Sequence, residues 1–206
     1  MILYRPVGLE ELVLIYKAFL RRFPARLPEQ PIFYPVLNQE YATQIARDWN
    51  TRSGALAGYV TSFELDDSFA KSFPIHQVGA SHHRELWVPS HELGELNDHI
   101  LGMIRVVGAH FAPTFSGIIP KAYSLQGKDA RQQLATLWGI YTYSLMDFHG
   151  EIAANAETVF AHYPYWEQLL GEGAAPNVDG NCLLPAIRKA WSSAFPQIPL
   201  GFERST

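Results

Sequence analysis

The sequence predicts an α+β fold, and three observations carry that reading. Through residue 116, short strand-like stretches alternate with helical ones. Several of those strands have the in–out alternation of a half-buried sheet. Beyond residue 116 the pattern becomes helical. Alternation alone also suits an α/β sheet, but for strands this short a sheet with mixed or antiparallel pairing is equally allowed. The expected division is a mixed-sheet domain over residues 1–118 and a helical C-terminal region over 119–206 packed on it.

"ILYRPV" (2–7) alternates at the start of the chain and reads as a first strand, with Pro6 suited to a strand edge or end. Leu9, Leu12, Val13, Tyr16, Phe19, Leu20 and Phe23 recur at helical spacing and form one apolar stripe. "FPARLPEQP" (23–31) is a loop with three prolines, and "IFYPV" (32–36) reads as a strand. Asn38 is a good N-cap for a helix whose inner face is Tyr41, Ala42, Ile45, Ala46 and Trp49. After a loop at 51–58, "YVTSFEL" (59–65) is rich in β-branched and aromatic residues and reads as a strand closed by Asp66 and Asp67. Residues 68–83 are irregular, with room for one helical turn. "ELWV" (85–88) is the next strand, Ser90 caps a helix carrying Leu93, Leu96 and Ile100, and "MIRVVGAHF" (103–111) is another strand.

The segment 116–130 reads as a short strand and linker. Helices are expected over 131–148, apolar on most faces and hence buried, and over 151–163. A loop follows at 171–181, then a last helix with Pro185 at an early position, ending near Phe195. There is no internal repeat.

Composition narrows the function classes. Of 206 residues, 48% are hydrophobic, enough for a sizeable core. The formal charge is −4, with no basic cluster, so a nucleic-acid footprint is not visible. The single cysteine, Cys182, cannot form an internal disulfide and is expected to be a small buried hydrophobe. Neither a secretion signal nor an apolar run approaching ~20 residues is present, so no membrane span is expected and the cytoplasm is the default compartment. An effector exported without a cleaved signal would look the same.

Phosphate-loop, dinucleotide-fingerprint, HExxH and GxSxG patterns are absent, and the Gly171–Gly173 stretch reads as a turn. His82 and His83 are adjacent, and His91 and His99 are eight apart; neither spacing suits one metal. Asp147, His149 and Glu151 bracket an apparent helix junction at Gly150, and no metal site is expected there. "HYPYW" (162–166) suits an interhelical contact or surface plug, or a patch for a protein partner.

Arg5, Tyr34, Tyr41, Ser62 and Glu85 are the candidate site residues. Each also has a plain structural reading. Arg5 can pair with a nearby carboxylate, Glu85 can be a solvated charge blunting a strand edge, Tyr41 lies on its helix's apolar stripe, and strand propensity alone accounts for Thr61 and Ser62.

Taken in order, "LYRPVGLEEL", "PIFYPVLNQEYATQIARDWN", "GYVTSFELD" and "HRELWVPSHELGELNDHI" resemble the ADP-ribosyltransferase fold, over about residues 1–116. More narrowly they are similar to small bacterial proteins labelled ADP-ribosylation/crystallin J1. The resemblance implies mono-ADP-ribosyl transfer from NAD, the substrate, to an unknown protein, nucleic-acid or small-molecule acceptor, in a setting such as a toxin, defence or effector system. It places Glu85 as the group that stabilises an oxocarbenium-like transition state. It places Arg5 on a ribose or phosphate oxygen, on a strand neighbouring that of Glu85 and in the same cleft. Tyr34 or Tyr41 would stack on nicotinamide, and Ser62 would stand for part of the Ser-Thr-Ser strand of the toxin branch, which here is only Thr61–Ser62. Arginine-modifying toxins carry Glu, and guanine- or asparagine-modifying ones often Gln, two places before the catalytic glutamate; His83 stands there in this chain. The dimetal hydrolase in the crystallin label would need a carboxylate cluster that this sequence lacks. A non-catalytic binding or immunity module that keeps the fold, with its helical region contacting a protein partner, and an NAD-consuming hydrolase are the alternatives.

Overall fold

Pro6 shapes the N-terminal half of the molecule. The computed structural model describes residues 1–202, in two units, Met1–Ala112 and the chain from Pro113 onward. The division therefore falls a few residues before the expected 118/119 boundary. Strand β1 (Ile2–Val7) pairs antiparallel with β3 (Ala57–Leu65), which pairs on its other edge with β7 (Ile100–Phe111). On the free edge of β1, Tyr4 and Val36 exchange both backbone hydrogen bonds, at 2.9 and 2.8 Å. The next bond of that ladder would need an N–H at position 6, and Pro6 has none. The bridge stays isolated, and β1 and the 34–36 segment part beyond it.

Val36 also bridges Glu85 of β5 (Arg84–Leu86), so the 36 segment lies between the strands of Arg5 and Glu85, which are not direct neighbours. β4 (Ile75–Gln77) pairs with β5, and β2 (Ile32–Phe33) with β6 (Val88–Pro89). Every described pairing is antiparallel. The expected strands 32–36 and 85–88 are each broken into shorter pieces, the second at Trp87.

Helix α1 (Leu9–Lys17) buries Leu9, Leu12 and Ile15. It stops well before Phe23, where the apolar stripe ends, because Phe19 and Leu20 take left-handed backbone angles (φ 54° and 57°). That conformation is costly for side chains with a Cβ. It brings Leu20 into the core, where its carbonyl accepts the Ile104 N–H at 2.7 Å. Phe23 follows it inward, its ring meeting Phe33 and Phe63. Asn97 accepts the Phe23 N–H at 2.8 Å and donates to the Phe23 carbonyl at 3.0 Å, which fixes the start of the proline-rich loop.

Helix α2 (Gln39–Asp48) is capped as expected: the Asn38 side chain accepts the Tyr41 N–H at 2.8 Å. Tyr41, Ala42 and Ala46 are buried, whereas Trp49 is exposed. Gly58 permits the close approach of α2 to β3, since a Cβ there would lie 2.1 Å from the Ala46 carbonyl oxygen. Two short helices, α3 (Asp67–Ala70) and α4 (Leu93–Asp98), complete the unit; Ser90 enters a 3₁₀ turn ahead of α4 instead of capping it.

The second unit contains α5 (Ala130–Tyr143), α6 (Leu145–Ala154), α7 (Ala156–Gly171) and α8 (Gly180–Ala194). No strand occurs in 116–130. Contrary to expectation, the stretch 131–148 is two helices separated at Ser144, with Tyr143, Leu145 and Met146 exposed. The buried helix is α7, in which His162, Tyr163, Tyr165 and Trp166 are core residues. Gly150 lies inside α6, so Asp147, His149 and Glu151 share one helix, and no metal-holding group of three or more acidic, His or Cys side chains occurs among the described residues. Cys182 is exposed, not buried. Pro185 sits in the sixth position of α8, which begins after the Asp179 cap. No described helix is long and apolar enough to cross a membrane.

Candidate functional site

The strands that part at Pro6 open onto a cavity of about 470 Å³, within the range of small-molecule sites. Four of the five candidate residues line it: Arg5, Tyr34, Tyr41 and Glu85. Ser62 does not. The pairing register sets Ser62, Tyr4, Val36 and Glu85 in one row across the sheet. Ser62 therefore shares the face of Glu85, but the side chains of Tyr4 and Val36 stand between them.

Arg5 follows Tyr4, and alternation turns it to the opposite face. It reaches the cavity from the α1 side. Its guanidinium lies 4.7 Å from the centre of the Phe33 ring. Nε and NH2 donate to the two carboxylate oxygens of Glu11, at 3.1 and 3.3 Å. NH1 donates to the Tyr34 carbonyl at 3.4 Å, the acceptor that the missing Pro6 N–H leaves free. The plain reading of Arg5 as a partner for a carboxylate is thus fulfilled, while the residue also lines the cavity. With its guanidinium so engaged, Arg5 acts first as a clamp on the diverging strands.

Glu85 enters from the α2 side and is only 8% exposed, so it is not a solvated edge charge. Its Oε1 accepts the indole N–H of Trp87 at 2.8 Å. Trp87, two residues on along the chain, is itself held by a ring stack with His76 (4.2 Å) and an edge contact with Tyr34 (6.0 Å). Tyr41 stands near the carboxylate; burial, and then the negative charge of Glu85, raise its phenol pKa and keep the hydroxyl as a donor.

The segment before Glu85 is tied to α2. Asn38 Nδ2 donates to the His82 carbonyl at 2.5 Å, and His83 stacks on Tyr41 at 4.3 Å with Nε2 3.1 Å from Gln44 Oε1. The residue two places before Glu85 is therefore engaged with the helix.

Three residues escaped the sequence reading: Glu11, Arg26 and Trp87. Glu11 looks like an ordinary acid in the first turn of a helix, and Arg26 sits in a stretch that reads as a loop. Trp87 reads as one residue of the strand 85–88, although the spacing Glu85–Trp87 puts both on one face. The cavity thus has a carboxylate held by an indole at one end and a pair of guanidiniums around a single carboxylate at the other. Such a site suits a ligand with an anionic portion and a centre that gains positive charge during reaction. Comparisons of this chain with protein-family models, curated proteins and solved structures gave no match.

Proposed function

We propose that the N-terminal unit binds NAD in this cavity and transfers its ADP-ribose to an acceptor. The observation that carries the reading is the buried Glu85 carboxylate, fixed by Trp87, in a cavity that also presents Arg5, Tyr34 and Tyr41. Cleavage breaks the bond between the nicotinamide nitrogen and the ribose anomeric carbon. The electron pair stays with nicotinamide, which leaves neutral, so no general acid is required. The ribose becomes cationic, and a preorganised carboxylate in a buried site stabilises it. Glu85 takes that role. Tyr34 or Tyr41 offers a ring to the nicotinamide. Arg5 contributes through binding, because alternation brings it in from the other face and Glu11 already engages it.

The test is nicotinamide release from NAD by the whole protein, with Glu85→Gln alongside. Release by the parent with loss in the variant supports the proposal. Accumulation of free ADP-ribose would make water the acceptor and the protein a hydrolase. NAD binding without release would support the non-catalytic module. No binding and no release would remove the NAD reading. A protein partner for the C-terminal unit has its candidate contact at the exposed Tyr143, Leu145 and Met146.

A further inference from the structure

The α1 side of the cavity holds an imbalance of charge that the protein does not resolve by itself. Arg5 and Arg26 both approach Glu11. Glu11 accepts hydrogen bonds from Arg5 on both oxygens, at 3.1 and 3.3 Å. Arg26 comes no nearer than 3.8 Å, beyond hydrogen-bond length. Its side chain is nevertheless only 12% exposed, and its Nε is buried without a hydrogen-bond partner. Burial, and then the like charge of Arg5, both act against the charged form, yet a guanidinium remains protonated. Buried donors are seldom left unpaired in native structures, and one that is calls for an explanation. The loop that carries Arg26 is pinned by Asn97 at Phe23 and closed by the Gln30 N–H on the Leu27 carbonyl at 2.8 Å.

The geometry points to an oxyanion subsite centred on Arg26, which takes a phosphate oxygen of a ligand lying in the cavity. A guanidinium offers a planar fork of donors matched to phosphate, and Arg26 lines the cavity with Gln30 beside it. The phosphate supplies the negative charge that Glu11, bonded to Arg5 through both oxygens, does not bring close to Arg26. Assigning that phosphate to a dinucleotide rests on the NAD reading above; the subsite itself does not.

Calorimetry on the full chain tests it with four probes: inorganic pyrophosphate, ADP-ribose, NAD and nicotinamide riboside, the last without phosphate. For Arg26→Gln, affinity for the three phosphate-bearing probes should fall about tenfold to a hundredfold, as for loss of a charge-assisted hydrogen bond. Affinity for nicotinamide riboside should hold. Arg26→Lys should keep part of the affinity through its charge. The unliganded Arg26→Gln protein should melt at the parent's temperature or above it, because a buried cation that is only loosely paired with Glu11 and repelled by Arg5 has been removed. A lower melting temperature would make Arg26 a structural partner of Glu11 and overturn the inference. Equal affinity of parent and variant for pyrophosphate and ADP-ribose would overturn it as well, as would failure of the parent to bind either. If the parent binds pyrophosphate through Arg26 but neither binds nor cleaves NAD, the subsite stands and the NAD reading falls. If the parent cleaves NAD and Arg26→Gln binds every probe as the parent does, the NAD reading stands and the subsite falls.

Discussion

The two units bury polar side chains in contrasting ways. In the C-terminal unit they pair with one another and with the backbone. His162 is fully buried; its Nε2 accepts the Ile118 N–H at 2.8 Å, so Nδ1 carries the proton and donates to Gln133 Oε1, also at 2.8 Å. Gln133 in turn donates to the Ile118 and Lys128 carbonyls, at 2.8 and 2.7 Å. Glu151 accepts from the Ser124 and Leu125 N–H groups and from Asn155. These three side chains hold the irregular 116–129 segment onto the helices. In the N-terminal unit Asn97 and Thr61 are likewise bonded to backbone carbonyls, but Arg5, Arg26, Tyr41 and Glu85 line a cavity, and there the Arg26 Nε goes without a hydrogen-bond partner. Satisfied burial builds the C-terminal scaffold, while the unsatisfied donor beside the cavity is the observation on which the proposed subsite rests.

The strongest way to break the scaffold side of this contrast is His162→Ala. It leaves the Ile118 N–H and the Gln133 oxygen unpaired and opens a void, for an expected loss of about 4 kcal/mol. Amide hydrogen exchange in peptides from 116–129 and α7 measures it for that unit alone, because a chain of two units need not unfold in one step. A side chain at position 117 would collide with the same ring: the φ of Gly117 is +73° and a Cβ there would lie 2.2 Å from His162 Nε2.

On the site side, Glu85→Gln should slow nicotinamide release by about a hundredfold, or roughly 2.7 kcal/mol. NAD affinity should change much less, since the charge matters most when the ribose becomes cationic. Glu92, half-buried, and Glu95, exposed, both lie outside the cavity and should tolerate the same change.

Acid sharpens the comparison further. Burial lowers the His162 pKa from 6.5 to about 3. Below pH 6.5 the unfolded imidazole binds a proton that the folded one refuses, so unfolding takes up protons. This contribution to stability is complete above pH 6.5 and is lost as the pH falls toward 3. The slope approaches about 1.4 kcal/mol per pH unit, and the loss between pH 6.5 and 5 is about 1.6 kcal/mol. Hydrogen exchange in the C-terminal unit at the two pH values, compared with a His162→Gln protein, checks it; equal slopes would assign the acid sensitivity to other groups.

How much of this was legible in the sequence follows from what each signal depends on. The resemblance singles out Arg5, Tyr34, Tyr41 and Glu85, and all four line one cavity. Facing was harder, because a strand reverses its side chains at every residue: Arg5 points away from the face of Tyr4, and Ser62 is screened by the Tyr4–Val36 row. Arg26 was hidden because nothing in a proline-rich loop shows which side chain folds inward. Apolar content misjudged the helices. Residues 131–148 are apolar on most faces yet leave Tyr143, Leu145 and Met146 exposed, while α7, with its His and Pro, is the buried one. The capping box in which Asp129 accepts the Gln132 N–H, and the Asp147 N–H bond to Ser144 Oγ, mark the starts of α5 and α6, and both spacings are visible in the sequence.

The smallest expected effect concerns Trp87. Its indole N–H is a neutral donor to Glu85 Oε1, and its ring packs between His76 and Tyr34. Trp87→Phe keeps an aromatic ring in that stack and deletes the donor. The net worth of one such bond is about 1 kcal/mol, so kcat should fall about fivefold. KM should change little, because what is lost is the fixed orientation of the carboxylate at the moment the ribose becomes cationic. A positioning role makes a sharper demand in combination with Glu85→Gln. If Trp87 acts only through the Glu85 charge, adding Trp87→Phe to Glu85→Gln should cost nothing more, because the group it positions is already gone. Additive losses in the double variant would give Trp87 a contact of its own with the ligand. An unchanged kcat in Trp87→Phe would mean that the surrounding fold holds Glu85 in place without the indole.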